Sequence, residues 1–290
     1  MSKFKVKAHV DIFKCPICGS RMDLYQLKSL VCKANHCFDL ARSGYVNFLL
    51  RAAKTGYDKS MLRSRNIICK SNFFKPLLVE ISELLLQEIP NDGNKKLILD
   101  IGCGEGSHLN QILSMLRSKT SHVFEGVGVD ISKEGIQIAS KEYPEHVWCV
   151  GDLANNPFQS NKFAVILNIL SPSNYAEFNR LLLKNGILIK VVPGANYLKE
   201  LREAFYTGGE KQTYSNTKTV EHFKEKFALL DLREILYFVN INRADLEHLI
   251  KMTPLSWNVP TEKIEQVIRS GLNKITVEFT ILYGKKCFGN

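Results

Sequence analysis

Residues 97–106 read Leu-Ile-Leu-Asp-Ile-Gly-Cys-Gly-Glu-Gly, an apolar run into Asp100 followed by Gly102, Gly104 and Gly106 at alternate positions. A short apolar run bounded by glycines predicts a buried strand of a parallel sheet, and the glycines permit a tight turn that lays bare backbone against a ligand. From Ser107 to Arg117 the pattern turns helical, with Leu109, Ile112, Leu113 and Leu116 on one stripe. Strand, glycine turn and helix form the nucleotide-binding corner of a doubly wound fold. The next strand-like run, 123–129, ends in Asp130, which is placed to accept hydrogen bonds from both hydroxyls of a ribose.

The glycine spacing narrows the ligand. In the dinucleotide fingerprint G-x-G-x-x-G the third glycine comes one residue later, and that longer form seats a pyrophosphate on the helix N-terminus. Asp100 and Glu105 beside the turn would repel a pyrophosphate but tolerate a cofactor carrying a sulfonium and an ammonium. The corner is therefore expected to hold S-adenosylmethionine, with Asp100, Gly102, Gly104, Glu105, Gly106 and Asp130 around it.

At 290 residues and 45% hydrophobic content, the chain is long enough for one packed core plus a small appendage and carries no signature of disorder. No apolar run reaches membrane-spanning length and the N-terminus lacks the apolar region of a signal peptide, so a cytoplasmic protein without a membrane partner is expected. Its eight cysteines should then be reduced thiols or metal ligands. The net charge of +10 is unevenly placed: residues 1–75 carry fifteen Lys and Arg against four Asp, a net +11, and the remainder nets −1. Such a concentration points to a polyanion-binding module rather than a merely solvated face.

Within that basic segment, Cys15-Pro-Ile-Cys18 is followed after thirteen residues by Cys32-Lys-Ala-Asn-His36. Two tight ligand pairs separated by a short hairpin match the demands of tetrahedral zinc, and four protein ligands make the site structural. Cys37 competes with His36 for the fourth position, since adjacent side chains rarely reach one ion; His36 is preferred, leaving Cys37 as a small buried hydrophobe. Leu24, Leu27, Leu30 and Val31 would pack the hairpin. Residues 51–59 read as a flexible connection. They lead to an amphipathic helix over 59–74 with Arg63, Arg65 and Lys70 outward and Leu62, Ile67 and Phe73 inward, then to a second helix over 76–87 and a turn at Asn91-Asp92-Gly93-Asn94. The expected organisation is a zinc-binding RNA-recognition module at 1–50, a linker with helices at 51–90 and a methyltransferase domain at 91–290.

Five segments together resemble one family: the knuckle with His36-Cys37-Phe38-Asp39, Gly44-Tyr45-Val46-Asn47, the Asp-Ile-Gly-Cys-Gly-Glu-Gly corner, Val192-Pro193-Gly194 with Leu198-Lys199-Glu200-Leu201, and Met252-Thr253-Pro254-Leu255-Ser256-Trp257. The chain resembles the bacterial 23S ribosomal RNA guanine-N1 methyltransferases that modify the hairpin 35 region near the peptide exit tunnel, from about Cys15 nearly to the C-terminus. The resemblance implies methylation of guanine N1 from S-adenosylmethionine, zinc on Cys15, Cys18, Cys32 and His36, cofactor contacts at Gly104 and Glu105, and a homodimer whose cleft holds the RNA. Two implied cofactor positions depart from the family: Phe74 stands where a tyrosine is common, and Tyr197 where a histidine is common. Both keep a ring, so stacking on adenine or shaping of the methionine pocket survives, while the hydroxyl's hydrogen bond is missing at Phe74 and the imidazole's is altered at Tyr197. The family has two branches acting on neighbouring guanines, and both stay open here.

Further strands are expected at 147–150, 163–169, 186–192, 235–240 and 275–283, with helices through Phe205 and over 244–252, which completes a Rossmann-like seven-stranded α/β core. Asp152, just past a strand tip, would accept from the adenine amino group or simply cap the following segment. Asn168 and Tyr197 are rim candidates for holding the base edge, no general base is evident, and charged residues 218–226 read as solvated helix. Lys14, Arg21, Lys28 and Lys33 would contact phosphates. Two rival readings share parts of this pattern: a small-molecule methyltransferase, and a zinc-dependent RNA-binding protein with a vestigial Rossmann domain.

Overall fold

A computed structural model describes residues 2–51, 53, 56, 58–90, 92–206 and 214–286. Parts of the connection expected at 51–59, and Asn91 of the following turn, lie outside the described residues. The chain opens with α1 (Ser2–Ala8), then a three-stranded antiparallel sheet of β1 (Met22–Tyr25), β2 (Ser29–Cys32) and β3 (Cys37–Asp39), then β4 (Val46–Asn47). Two helices follow, α2 (Lys59–Lys70) and α3 (Lys75–Glu88). The alternating part runs β5 (Lys96–Ile101), α4 (Ser107–Lys119), β6 (Phe124–Asp130), α5 (Lys133–Glu142), β7 (Val147–Val150), β8 (Phe163–Ile169), α6 (Tyr175–Leu181) and β9 (Leu182–Pro193). The chain ends with α7 (Lys199–Phe205), α8 (Thr217–Lys226), β10 (Phe227–Asn240), α9 (Arg243–Met252), α10 (Thr261–Arg269) and β11 (Lys274–Lys286).

The expected seven strands are present in the order β10-β11-β9-β8-β5-β6-β7, and an eighth, β4, joins the far edge. Strands β4 to β9 run parallel, while β11 pairs antiparallel with β9 and β10 with β11. Chain order reverses at β5, between β6 and β8, so the crevice beyond its tip is the topological switch point where such sheets bind ligands.

The eighth strand ties the module expected at 1–50 to the main sheet. Val46 and Asn47 pair with Cys149 and Val150 of β7, and Gln159 N–H donates to Ile12 O at 2.7 Å. The Phe13 ring lies 5.5 Å from Phe48 and 5.8 Å from Phe158. Of the four hydrophobes expected to pack the hairpin, only Leu30 is fully buried; Leu27 sits on the turn, 42% exposed. The reason is size: a module this small cannot enclose its own core. Its apolar face, with Met22, Leu30, Phe38 and Phe48, instead shares one layer with Leu99, Val127 and Phe163 on one side of the main sheet. The opposite side carries α3, α4, α5, α7 and α9.

Helix α2 also differs from expectation. It stops at Lys70 because Asn72 adopts a left-handed φ of 64°. Ile67 is exposed and Arg65 turns inward: Leu62, Arg65 and Cys69 fall at i, i+3 and i+7, on the face that covers the switch point. Helices α1 and α10 had no counterpart in the sequence reading.

Candidate cofactor cavity and zinc centre

At the β5 tip the backbone enters the left-handed region at Gly102 (φ 77°) and Gly106 (φ 84°). A Cβ on Gly102 would lie 2.5 Å from Ser171 Cβ, and one on Gly106 would lie 2.5 Å from Trp148, so both positions require glycine twice over. The turn opens onto a cavity of about 360 Å³, within the range of ligand clefts. Gly102, Gly104, Asp130 and Asp152, four of the residues expected at the cofactor, line it. Leu62 and Arg65 of α2 roof it, and Ile131 and Leu153 add apolar walls next to the two acids.

Asp130 braces two loops. Its Oδ2 accepts from Gly104 N–H at 2.8 Å and its Oδ1 from Ser132 N–H at 2.7 Å. Each carboxylate oxygen has a second lone pair, so acceptor capacity toward a ligand remains. Asp152 Oδ1 accepts from Ala154 N–H at 2.9 Å, forming a local turn while the side chain stays exposed.

Other expected residues stand behind the wall. Glu105 is 1% exposed; its Oε2 accepts from Ser107 N–H at 2.9 Å and Oγ at 2.8 Å, and its Oε1 is 3.3 Å from Arg65 Nε. Gly106 packs the start of α4 against Trp148. Phe74 is fully buried, edge-on to His108 at 4.8 Å and 6.1 Å from Phe279, and Tyr197 leans on the same Phe279 at 4.9 Å. Neither ring lines the cavity. Asn168 is not on the rim either: it is fully buried, donating from Nδ2 to Ser171 Oγ at 2.6 Å and Pro172 O at 2.9 Å.

Two residues escaped the sequence reading, Arg65 and Lys190. Burial works against the Arg65 charge, but Cys69, Glu105, Tyr197 and Asp100 around it raise its pKa above the ordinary guanidinium value. Lys190 interrupts the apolar run Ile187-Leu188-Ile189 before Val191 and Val192, and a charge inside a buried strand was the available signal. Its Nζ donates to Asn168 Oδ1 at 2.7 Å and Ser171 O at 3.1 Å.

Lys190 lines a second cavity, about 570 Å³, which shares Leu170, Ser171 and Pro172 with the first. Lys218 and His222 of α8 form its other side, and His222 and Lys226 line a further opening of about 590 Å³ that reaches Asp152. The segment 218–226 is therefore a basic wall of the cleft: 218, 222 and 226 fall at i, i+4 and i+8 on one helix face.

Burial raises the Asp100 carboxyl to about 7, with Arg65 opposing and Asp130 and Glu105 adding to the rise. A folded-state pKa above the unfolded value means this group favours folding fully below that unfolded value, and the contribution is lost as pH rises through about 7. Asp100 is 2% exposed and stands behind the cavity wall rather than lining it, and a cationic ligand in the cavity favours its carboxylate form instead. Affinity for S-adenosylmethionine should therefore rise about fivefold between pH 6 and 8 in calorimetric titrations, and Asp100→Asn should flatten that dependence.

In the N-terminal module the ligand atoms of Cys15, Cys18, Cys32 and His36 all lie within 4.8 Å of one another. His36 Nδ1 is 3.4 Å from both Cys15 Sγ and Cys32 Sγ, and Cys18 Sγ is 3.6 Å from Cys32 Sγ. Thiolates at the vertices of a zinc tetrahedron stand about 3.8 Å apart, so the donor set fits the ion. Hydrogen bonds from Ser20 draw the Cys18 thiol down to about 6, toward the thiolate that zinc requires. Cys37 is exposed rather than buried, its thiol 3.9 Å from Asp39 Oδ1, because successive residues of β3 point to opposite faces.

The family described as "RlmA, N-terminal", a zinc ribbon, matches residues 13–56, and the "Methyltransferase domain" family matches 98–186. The chain is 42% identical to the putative 23S rRNA (guanine-N(1)-)-methyltransferase YxjB of Bacillus subtilis, over 97% of this chain and 100% of that one. The chain belongs to the 23S rRNA (guanine-N1)-methyltransferase family. A second member, the 23S rRNA (guanine(748)-N(1))-methyltransferase of Streptomyces fradiae, is 26% identical over 93% of this chain and 95% of its own. The solved YcgJ protein of Bacillus subtilis covers 72% of this chain and all of its own, with a TM-score of 0.50 at 16% identity, a likeness of fold. For this methyltransferase the two matched regions coincide with the two sites: the ribbon holds all four zinc donors, and the methyltransferase match begins two residues before Asp100. S-adenosylmethionine and zinc are its cofactors.

Proposed function

We propose that this enzyme transfers a methyl group from S-adenosylmethionine to N1 of a guanine in 23S ribosomal RNA, in the hairpin 35 region. One observation carries the reading: a nucleoside-sized cavity at the switch point abuts a second, open and basic cavity across Leu170, Ser171 and Pro172. When bound, the cofactor supplies an electrophilic methyl on a sulfonium. Asp130 would hold the ribose hydroxyls, Asp152 the adenine amino group, and Ile131 and Leu153 the faces of the adenine ring. The glycine turn brings backbone rather than side chains to the methionine portion.

The acceptor base would enter the second cavity. N1 lies in the Watson–Crick edge, so the substrate is a loop guanine or one flipped from its pair. Lys218, His222 and Lys226 would meet its phosphates from one side, and exposed Arg21, Lys28 and Lys33 on the ribbon would extend the track. Lys14 is half-buried, and burial lowers its pKa, so it contributes less. With about six such contacts to single strands, log K should fall with log salt at a slope near −4 between 50 and 200 mM. Filter binding measures this, and a flat response would remove the phosphate track.

A homodimer fits the edge strand β10, where Leu230, Leu236 and Phe238 are each more than half exposed along one face. Among the described residues no helix is long and apolar enough to cross a membrane, which accords with a cytoplasmic enzyme meeting ribosomal RNA. The deciding experiment is primer extension on 23S RNA from cells lacking the gene: the N1-methylguanine stop vanishes and returns on complementation. A stop that persists would end the proposal.

A further inference from the structure

Guanine N1 carries a proton that must leave as the methyl arrives, and neither Asn168 nor Tyr197 is free to take it. Asn168 spends its amide on the 168–173 loop, and Tyr197 is partly buried, its ring packed on Phe279, with its hydroxyl pKa raised first of all by desolvation. The carboxylates near the first cavity do not reach the second: Asp130 and Asp152 line the cavity proposed for the cofactor, and Glu105 and Asp100 are buried behind its wall, 1% and 2% exposed.

Lys190 remains. It stands opposite Asn168 in the parallel register of β8 and β9, two strands from β5 and its glycine corner, and is 3% exposed. Two of its Nζ positions are fixed by Asn168 Oδ1 and Ser171 O; Asn168 Oδ1 is itself held by Ser173 Oγ at 3.1 Å. No third protein partner is found among the described residues, and the residue lines the second cavity at the wall shared with the first. A neutral amine in this setting donates both N–H groups to the protein and keeps its lone pair for the cleft. Resting on the methyltransferase reading above, we propose that Lys190 is the catalytic residue that receives the N1 proton of the target guanine.

The step balances. The N1–carbon bond forms as the methyl–sulfur bond breaks, with that bond's electron pair remaining on sulfur; the N1 proton passes to Nζ. The resulting ammonium donates to the guanine O6 and later returns its proton to solvent. Burial lowers the Lys190 ammonium to about 8, which brings the neutral form within reach near physiological pH. The titratable groups facing the same cavity are Tyr175, Tyr214, Lys218 and His222, and none is a carboxylate that would hold the lysine charged.

The test uses the full-length zinc-loaded enzyme and hairpin 35 RNA. Lys190→Met should lower the single-turnover rate about 100-fold or more, leave S-adenosylmethionine affinity by calorimetry within twofold, and abolish the rise of rate with pH below 8. Lys190→Arg keeps charge and reach but does not give up its proton at neutral pH, so it should be nearly as slow. A merely structural lysine would be rescued by arginine, and a Lys190→Arg enzyme with wild-type rate would overturn the proposal. The second readout is binding by cofactor-free protein of the same hairpin carrying guanine or O6-methylguanine at the target. Wild type should prefer guanine about fivefold and Lys190→Met should bind both equally, by the logic of a double-mutant cycle. An undiminished preference in the variant would overturn the proposal. If wild-type enzyme fails to methylate the hairpin at all, the parent reading fails instead, and the two failures are distinct.

Discussion

Cys32→Ser should lower the unfolding midpoint of the whole protein by about 10–20 °C, not merely loosen its first fifty residues. Zinc contributes about 10–16 kcal/mol to isolated zinc modules, and even half of the lower figure amounts to about 10–20 °C for a domain this large. The reach of the effect comes from the shared layer. Met22, Leu30, Phe38 and Phe48 cover Leu99, Val127 and Phe163, and β4 continues the main sheet through Cys149 and Val150. Unpinning the two ligand turns therefore uncovers one side of the catalytic sheet. Calorimetry of wild type, the variant and chelator-treated protein measures this, with Cys37→Ser as the silent control, since that thiol is exposed and points away from the cluster. A variant without zinc that melts with wild type would show that the ribbon is an independent appendage. For the same reason, deleting residues 1–50 is not a clean test of RNA recognition, because the truncation strips a core layer along with the basic surface.

Asp130→Ala should weaken S-adenosylmethionine binding at least about 100-fold and lower the unfolding midpoint of the cofactor-free protein by about 6–20 °C. The carboxylate holds Gly104 N–H and Ser132 N–H at 2.8 and 2.7 Å, so it fixes the glycine turn and the start of α5 in one bracket. Hydrogen bonds to a charged group are worth about 1.5–3 kcal/mol each, and losing both would let the turn relax into the cavity it bounds. The ribose contacts proposed for the same oxygens disappear with them. Asp130→Asn keeps one acceptor and should fall between the two. Isothermal titration reads the affinities directly, and a dissociation constant within threefold of wild type for the alanine variant would remove Asp130 from the site.

The parts of this protein legible from sequence are those determined by residues close together in the chain. The strand, the glycine turn and α4 all lie within 97–119, and the acid at the next strand tip follows from the same βαβ unit. The zinc donors come as two short pairs, and the alternation of β3 decides between His36 and Cys37 once the strand is known. Departures from the sequence reading occur where a residue's role depends on a distant neighbour. Arg65 has the composition of a solvated helix position, yet α2 packs across the β5 tip and buries that face. The resemblance puts Phe74 and Tyr197 at the cofactor, but both rings pack on Phe279 of β11, behind the cavity.

Sequence by itself determined the switch-point corner, the metal ligand set and the basic N-terminal segment, because turn geometry, ligand spacing and charge are local properties. Only the tertiary structure decided that β4 fuses the ribbon to the sheet, that α8 walls the second cavity, and that Lys190 meets Asn168. Those three facts depend on strand registers and packing between segments far apart in the chain, and no short-range pattern encodes a register.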